Sequence, residues 1–321
     1  MSFELILPFL RPIEPLLLDE SISEIMGNPD ASWWYERDGI LRREETIFFD
    51  AGKLHTGLEV IANQLGKKLD EDNPVLDAQL PDGSRLAAVI PPVVRPEPAL
   101  TIRKFTSRHY TVDDLVSRGT LTRGLADFLA EQIRSGKTLL ISGGTGTGKT
   151  TLLRILADFI PERERIVVIE DTSELHIQKP NVLAVECQTG TFKANISFDD
   201  LLKSALRWRP DRIILGEVRG IEARTLLDCF NTGHAGSLAT IHASSAEKAI
   251  RRFANLVMRN HAQTTFSDTE AEIGDAVDLV VHVDRQPSRR IVREVLALRG
   301  YDRDAKRFLM ERVFEVQHAT A

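Results

Sequence analysis

The sequence predicts an α/β protein in two parts, a large C-terminal phosphate-binding domain and a smaller α+β domain before it. Three observations carry that expectation. Residues 143–150 read Gly-Gly-Thr-Gly-Thr-Gly-Lys-Thr, a complete GxxxxGK[ST] phosphate loop. Around and beyond it, apolar strand-like runs alternate with helix-like runs, the pattern of a sheet covered on both faces. In the first hundred residues, short strand-like runs are punctuated instead by Asp-Gly pairs, the mark of hairpins.

In that first part, residues 32–36 ahead of Asp38-Gly39, residues 46–49, Leu80 ahead of Asp82-Gly83, and residues 85–90 read as strands. Between them, residues 54–69 place Leu58, Ile61, Ala62 and Leu65 at the spacing of one helix face. The proline run 91–98 looks like a linker, yet residues 100–105 resume as a strand, which allows the run to be a loop inside this domain. Residues 106–110 are polar and aperiodic and precede a helix start at Thr111-Val112-Asp113-Asp114. The expected division is therefore 1–105 for the N-terminal domain, 106–115 for the linker and 116–321 for the phosphate-loop domain. Trp33 and Trp34 are expected as core and edge packing.

In the second part, strands are expected at 138–142, 165–170, 182–186, 212–215, 238–241 and 279–283, and helices at 121–134, 149–159, 198–207, 221–230 and 246–259. The phosphate loop joins the first of these strands to a helix. Gly143, Gly146 and Gly148 let the backbone curl so that successive N–H groups face phosphate oxygens, and Gly144, Thr145, Thr147 and Thr151 complete the cradle. Lys149 reaches the β- and γ-phosphates, and the Thr150 hydroxyl ligates Mg²⁺. The phosphate also meets the positive end of the following helix. A nucleoside triphosphate is the expected ligand.

Three further segments fall at expected strand ends. Residues 166–169 deliver Glu170 and Asp171 to the sheet edge, where a carboxylate orients or deprotonates an attacking water. Residues 212–215 lead to Gly216-Glu217, a Walker B element with glycine where a Mg²⁺-binding aspartate is common; Glu217 then holds the metal, partly through water, or takes part of the base role. Residues 232–242 carry His234 before a strand and His242 at its end, and two histidines flanking one strand suggest a sensor of the terminal phosphate.

Composition sets the outer limits. Hydrophobic residues make up 42% and charged residues 27% of the 321, ordinary globular usage, with no apolar run near the length of a membrane span. The net charge of −6 argues against strong direct nucleic-acid binding. Local basic patches at Arg207, Arg209 and Arg212, or at Arg289, Arg290 and Arg293, read more simply as solvated faces or salt bridges. Cys187 and Cys229 have no metal-ligand spacing and read as core residues in a reducing cytoplasm.

Taken in order, the phosphate loop, Ile-Glu-Asp-Thr-Ser-Glu-Leu at 169–175, Arg-Pro-Asp-Arg-Ile-Ile-Leu-Gly-Glu-Val-Arg-Gly at 209–220, and Thr-Gly-His-Ala-Gly-Ser-Leu-Ala-Thr-Ile-His at 232–242 resemble the type II/type IV secretion ATPase superfamily. Within it the chain is similar to the VirB11/TrbB/CpaF branch, whose Walker A, aspartate, Walker B and histidine boxes these match. Two cysteines leave no tetracysteine zinc insert, which favours this smaller branch. Residues 23–26, 81–85 and 100–105 extend the resemblance upstream.

The resemblance implies a RecA-like P-loop domain, a PAS-like α+β N-terminal domain, and a homohexameric ring. It implies ATP and Mg²⁺ as ligands, with catalytic candidates Lys149, Glu170, Glu217 and His242 and the N-terminal-domain arginines Arg85 and Arg103 reaching the phosphates. It also implies a cytoplasmic motor, peripheral at the inner membrane, with membrane components of a conjugation, secretion or pilus-assembly machine as partners. Two alternatives stand beside the motor: a non-catalytic nucleotide-gated scaffold and a RecA-like nucleic-acid translocase. The division of labour between Glu170 and Glu217 stays open at this level.

Overall fold

The computed structural model describes residues 6–37, 39–105, 110–188, 195–259, 265–286 and 289–316. The chain forms two compact units, Met1–His109 and Tyr110–Ala321. Of the expected linker, residues 106–109 lie outside the described residues, and residues 112–115 already belong to a helix.

The first unit runs α1 (Glu14–Leu18), β1 (Ile22–Gly27), β2 (Trp33–Arg37), β3 (Ile40–Glu44), α2 (Ala51–Gln64), β4 (Val75–Gln79), β5 (Arg85–Val89) and β6 (Ala99–Arg103). Its strands form one antiparallel sheet in the order β3-β2-β1-β6-β5-β4. Alternation decides the faces: Leu86, Ala88, Leu100 and Ile102 are buried, while Arg85, Ala87, Thr101 and Arg103 lie on the other side. Leu54, Leu58 and Ile61 of α2 join the buried face in a single core. The proline run connects two strands that pair with each other, so it is a loop within this unit.

Two expectations shift here. Residues 46–49 form no strand; Phe49 instead stacks on the buried Trp33 ring at 5.0 Å, and Trp34 is half-buried on the opposite face. The strand lies earlier, at Ile40–Glu44, where Ile40 through Arg43 are all exposed and no apolar period announces it. The helix starts three residues before the expected 54, because the Asp50 side chain accepts from Lys53 N at 3.0 Å and caps it there.

The second unit runs α3 (Val112–Ser117), α4 (Arg123–Arg134), β7 (Leu139–Gly143), α5 (Lys149–Ala157), β8 (Ile166–Glu170), β9 (Val182–Glu186), α6 (Phe198–Ala205), β10 (Arg212–Val218), α7 (Glu222–Asn231), β11 (Leu238–His242), α8 (Ala246–Met258), α9 (Phe266–Ala276), β12 (Leu279–Arg285), β13 (Arg290–Asp302) and β14 (Arg307–Glu315). The sheet order is β14-β13-β12-β7-β11-β10-β8-β9. The stretch from β12 to β9 is parallel, and β13 and β14 add an antiparallel edge.

Burial on both faces explains why these strands read as continuous apolar runs. Leu140, Val167, Ile169, Ile213, Leu215 and Ile241 join the core built with α6 to α9. Leu139, Ile141, Ile166, Val168 and Ile214 join the core built with α4 and α5. At about 1.5–3 kcal/mol for each large side chain fully buried, these layers outweigh any single polar contact at the sheet edges. The edges are thereby free to carry polar groups in strained or closely packed arrangements.

One such arrangement sits at the amino ends of the strands. Arg212 is buried, ion-paired with Glu164, and donates from Nη2 to the Ile133 carbonyl at 3.3 Å. Its guanidinium lies against Gly236, whose φ is +81°, and a Cβ there would overlap it. Gly236→Ala is therefore expected to destabilise the second unit by roughly 2–4 kcal/mol in denaturant titration. In an Arg212→Ala background the same substitution should cost less, leaving the backbone strain and the 2.9 Å approach of the new Cβ to Gly136 Cα. Equal losses in both backgrounds would rule the guanidinium contact out as the cause.

Candidate active site

The phosphate loop leaves β7 at Gly143 and enters α5 at Lys149. Gly143 is paired with His242 of β11 on one side and with Val283 of β12 on the other. A Cβ on Gly143 would lie 2.5 Å from both Thr147 Oγ1 and the Val283 carbonyl oxygen, so glycine is required for this close approach. Thr147 Oγ1 and Lys149 Nζ both donate to the Gly144 carbonyl, at 3.0 and 2.7 Å. Lys149 is buried, Gly144, Thr145 and Gly146 are exposed, and Thr150 and Thr151 are half-buried in the first turn of α5. The loop thus presents backbone, a buried cation and a helix start together, the features that favour a polyphosphate.

β10 carries an irregularity that the sequence does not announce. Leu215 pairs with Ala239 but Val218 with Ile241, so three steps along β10 match two along β11 and a bulge falls at Gly216-Glu217. The Gly216 carbonyl accepts from Thr240 Oγ1 at 2.5 Å. Glu217 Oε1 stands 3.3 Å from His242 Nε2 and 3.1 Å from Arg219 Nε. Arg219 also reaches Asp171 Oδ2 at 3.1 Å and so ties the ends of β8 and β10 together. Burial and the nearby Lys149 charge hold the His242 pKa below its ordinary value, against the pull of Glu217. A neutral ring follows, with a ring N–H to donate.

Glu170 is a different kind of carboxylate. It ends β8 at 4% exposure, and its Oε1 accepts from the backbone N–H groups of Glu174 and Leu175, both at 3.1 Å. Burial pushes its pKa up to about 7, although those two N–H donors favour the charged form. Gly216 lies beside it: a Cβ there would make an ordinary contact, 3.4 Å from Glu170 Cγ. A carboxyl poised near neutrality takes and returns a proton at physiological pH, whereas Glu217 is held between Arg219 and His242.

Hard oxygen donors at this edge fit Mg²⁺, which needs few protein ligands when phosphate supplies the rest. Thr150 on α5 and Glu217 on the bulge are the residues that would hold it. His234, by contrast, precedes β11 and lies at the amino end of that strand, its Nδ1 3.3 Å from the Cys229 carbonyl. It therefore belongs to the edge opposite His242. Arg85 and Arg103 belong to the first unit, where they are cross-strand neighbours on the outer face of β5 and β6. Arg85 there makes two hydrogen bonds to the Asp77 carboxylate, at 2.9 and 2.5 Å, and Arg103 is also register-paired with Glu24.

Three residues beside the loop escaped sequence reasoning. His282 is buried next to the loop strand, its Nδ1 2.9 Å from Ser142 Oγ, and burial lowers its pKa. The signal was a histidine inside the apolar run 279–283. Arg285 and Arg290 come from the ends of β12 and β13 and lie against Gly146 and Gly148. In sequence Arg290 belongs to the basic group Arg289, Arg290 and Arg293, which reads as a solvated face or salt bridges, and Arg285 lies just before that group.

With this geometry in place, comparison with known proteins gives a consistent answer. The sequence profile of the family described as Type II/IV secretion system protein matches residues 10–303. The conjugal transfer protein TrbB of Rhizobium radiobacter is 36% identical over 291 residues, covering 88% of this chain and 85% of that one. Among solved structures, the VirB11 ATPase of the Brucella suis type IV secretion system, in complex with sulphate, matches with 28% identity and a TM-score of 0.50, covering 90% of this chain and 93% of that one. The Legionella pneumophila ATPase DotB, at 20% identity, shares the fold with a TM-score of 0.63 over 90% of this chain and 80% of its own. The match spans most of the sequence and includes the site, and the chain belongs to the type II/IV secretion system protein family.

Proposed function

We propose that this chain is the ATP-hydrolysing motor of a type IV secretion or conjugal transfer machine. The observation that carries the proposal is the shared strand edge: a complete phosphate loop, a buried carboxyl with a raised pKa and a histidine–glutamate pair stand side by side. Phosphoryl transfer to water needs positioning and charge stabilisation above all, and this edge is equipped for both. In the proposal, the loop backbone cradles the α- and β-phosphates, Lys149 reaches the β- and γ-phosphates, and Glu170 accepts the proton of the attacking water. Thr150 and Glu217 would hold Mg²⁺, which would supply neutralisation of phosphate charge. The neutral His242 donates toward Glu217 or the terminal phosphate and reports its loss.

The larger cycle belongs to the same proposal. Units 1–109 and 110–321 close on ATP within a homohexameric ring, Arg85 and Arg103 reach the phosphates from the first unit, and hydrolysis lets the units reopen. Among the described residues no helix is long and apolar enough to cross a membrane, and we place the ring at the cytoplasmic face of the inner membrane, bound to membrane components of the machine. The similarity to a conjugal transfer protein favours conjugation as the setting.

Steady-state phosphate release tests the motor reading. Lys149→Ala and Glu170→Gln are each expected to lower kcat by about 100-fold or more, Glu170→Gln while still binding nucleotide. Release unaffected by either substitution would reduce the chain to a nucleotide-gated scaffold.

The pH dependence follows from the raised pKa. Base catalysis needs the ionised carboxylate, so kcat should rise with pH through about 7, and the residual rate of Glu170→Gln should lose that limb. For stability the sign is opposite. The folded chain keeps a proton on Glu170 that the unfolded chain releases from pH 4.5 upward, so this group's contribution is full at low pH and is lost as pH rises through about 7. Glu170→Gln should accordingly stabilise the protein relative to wild type at pH 8 but not at pH 4, measured by denaturant midpoints.

A further inference from the structure

The ends of β12 and β13 place two arginines on the phosphate loop. β12 runs parallel to β7 with Val283 opposite Gly143, and β13 returns antiparallel with Arg290 opposite Arg285. Arg290 Nε donates to the Gly146 carbonyl at 3.0 Å. Its Cδ lies 3.2 Å from the position a Cβ would take on Gly148, and Arg285 Nη1 lies 3.2 Å from the equivalent position on Gly146. Arg290 therefore spans the loop from Gly146 to Gly148. The neighbouring arginines point elsewhere: Arg289 donates to Gln286 Oε1 at 3.0 Å, and Arg293 pairs with Asp284 at 3.4 Å.

Gly146 and Gly148 both sit at positive φ, +69° and +90°. Residues without side chains have the largest choice of backbone conformations, and only one choice aims successive N–H groups at a phosphate. The peptide plane links the two ends of that problem. Fixing the direction of the Gly146 carbonyl fixes the Thr147 N–H on the opposite side of the same rigid plane.

We propose that Arg290 is a positioning residue for nucleotide binding: its hydrogen bond to the Gly146 carbonyl holds the phosphate loop in its phosphate-accepting conformation, in cis. The role deepens the nucleotide-binding reading above and rests on it. Arg290 acts through the loop backbone, which serves the phosphates that ADP and ATP share, so both nucleotides depend on it equally. A direct contact to the terminal phosphate would instead separate them.

Two near-isosteric variants isolate the hydrogen bond. Arg290→Met keeps the stem that packs on Gly148 and removes the donor, and Arg290→Gln places an amide N–H where Nε stood while removing the charge. Binding of MgADP and of a non-hydrolysable MgATP analogue to the full chain would be measured by calorimetry. The expected result is affinity for both ligands about 10-fold or more weaker in Arg290→Met, the loss of one charge-assisted hydrogen bond, and within about 3-fold of wild type in Arg290→Gln. In phosphate release, KM rises while kcat at saturation stays within about 3-fold.

Wild-type affinity in Arg290→Met would overturn the proposal, as would weakening confined to the ATP analogue, or Arg290→Gln as weak as Arg290→Met. Failure of the wild-type chain to bind either nucleotide would instead overturn the nucleotide-binding reading together with it.

Discussion

The site depends on one constraint: neighbouring parallel strands of the second unit end at a single edge. Their two-sided apolar burial fixes the register, and the register delivers the loop start at Gly143, His242 of β11 and Val283 of β12 to the same level. Beyond them β10 and β8 bring Glu217 and Glu170 to that edge. Nothing polar at the edge is strong enough to create this alignment. It is inherited from the core, and the edge residues make use of it.

Within that frame the edge holds two carboxyl groups in different surroundings. The bulge at Gly216-Glu217 sets Glu217 beside His242 and Arg219. Glu170 ends β8 beside Gly216 and is buried away from water. One carboxylate is partnered by charge and hydrogen bonds, the other is buried with a raised proton affinity. A buried carboxyl with a raised pKa suits proton transfer, and a carboxylate side chain held by Arg219 and His242 suits electrostatic work.

Much of this edge was legible from the chain. A phosphate loop is local, its glycines and lysine being adjacent in sequence, and Glu170 and His242 each close an apolar run whose length gives the strand. What escaped is what depends on a partner. A bulge is one residue of mismatch between two strands, and no single strand carries it. Arg290 meets Gly146 only after a separation of 144 residues closes through β12. His234 was misread for a simpler reason: a residue before a strand belongs to the amino edge, whatever its chemistry. In the first unit, β3 lacks any apolar period because its residues are exposed on both faces, and Phe49 looked like strand while serving as a lid on Trp33.

The account turns on Glu170 as the group whose ionisation governs water activation. Its pKa is directly measurable by carboxyl carbon NMR titration of the isotope-labelled protein, with Glu170→Gln identifying the resonance. The account predicts a midpoint of about 7; a midpoint at the ordinary 4.5 would contradict it, because the burial of Glu170 would then have no electrostatic consequence.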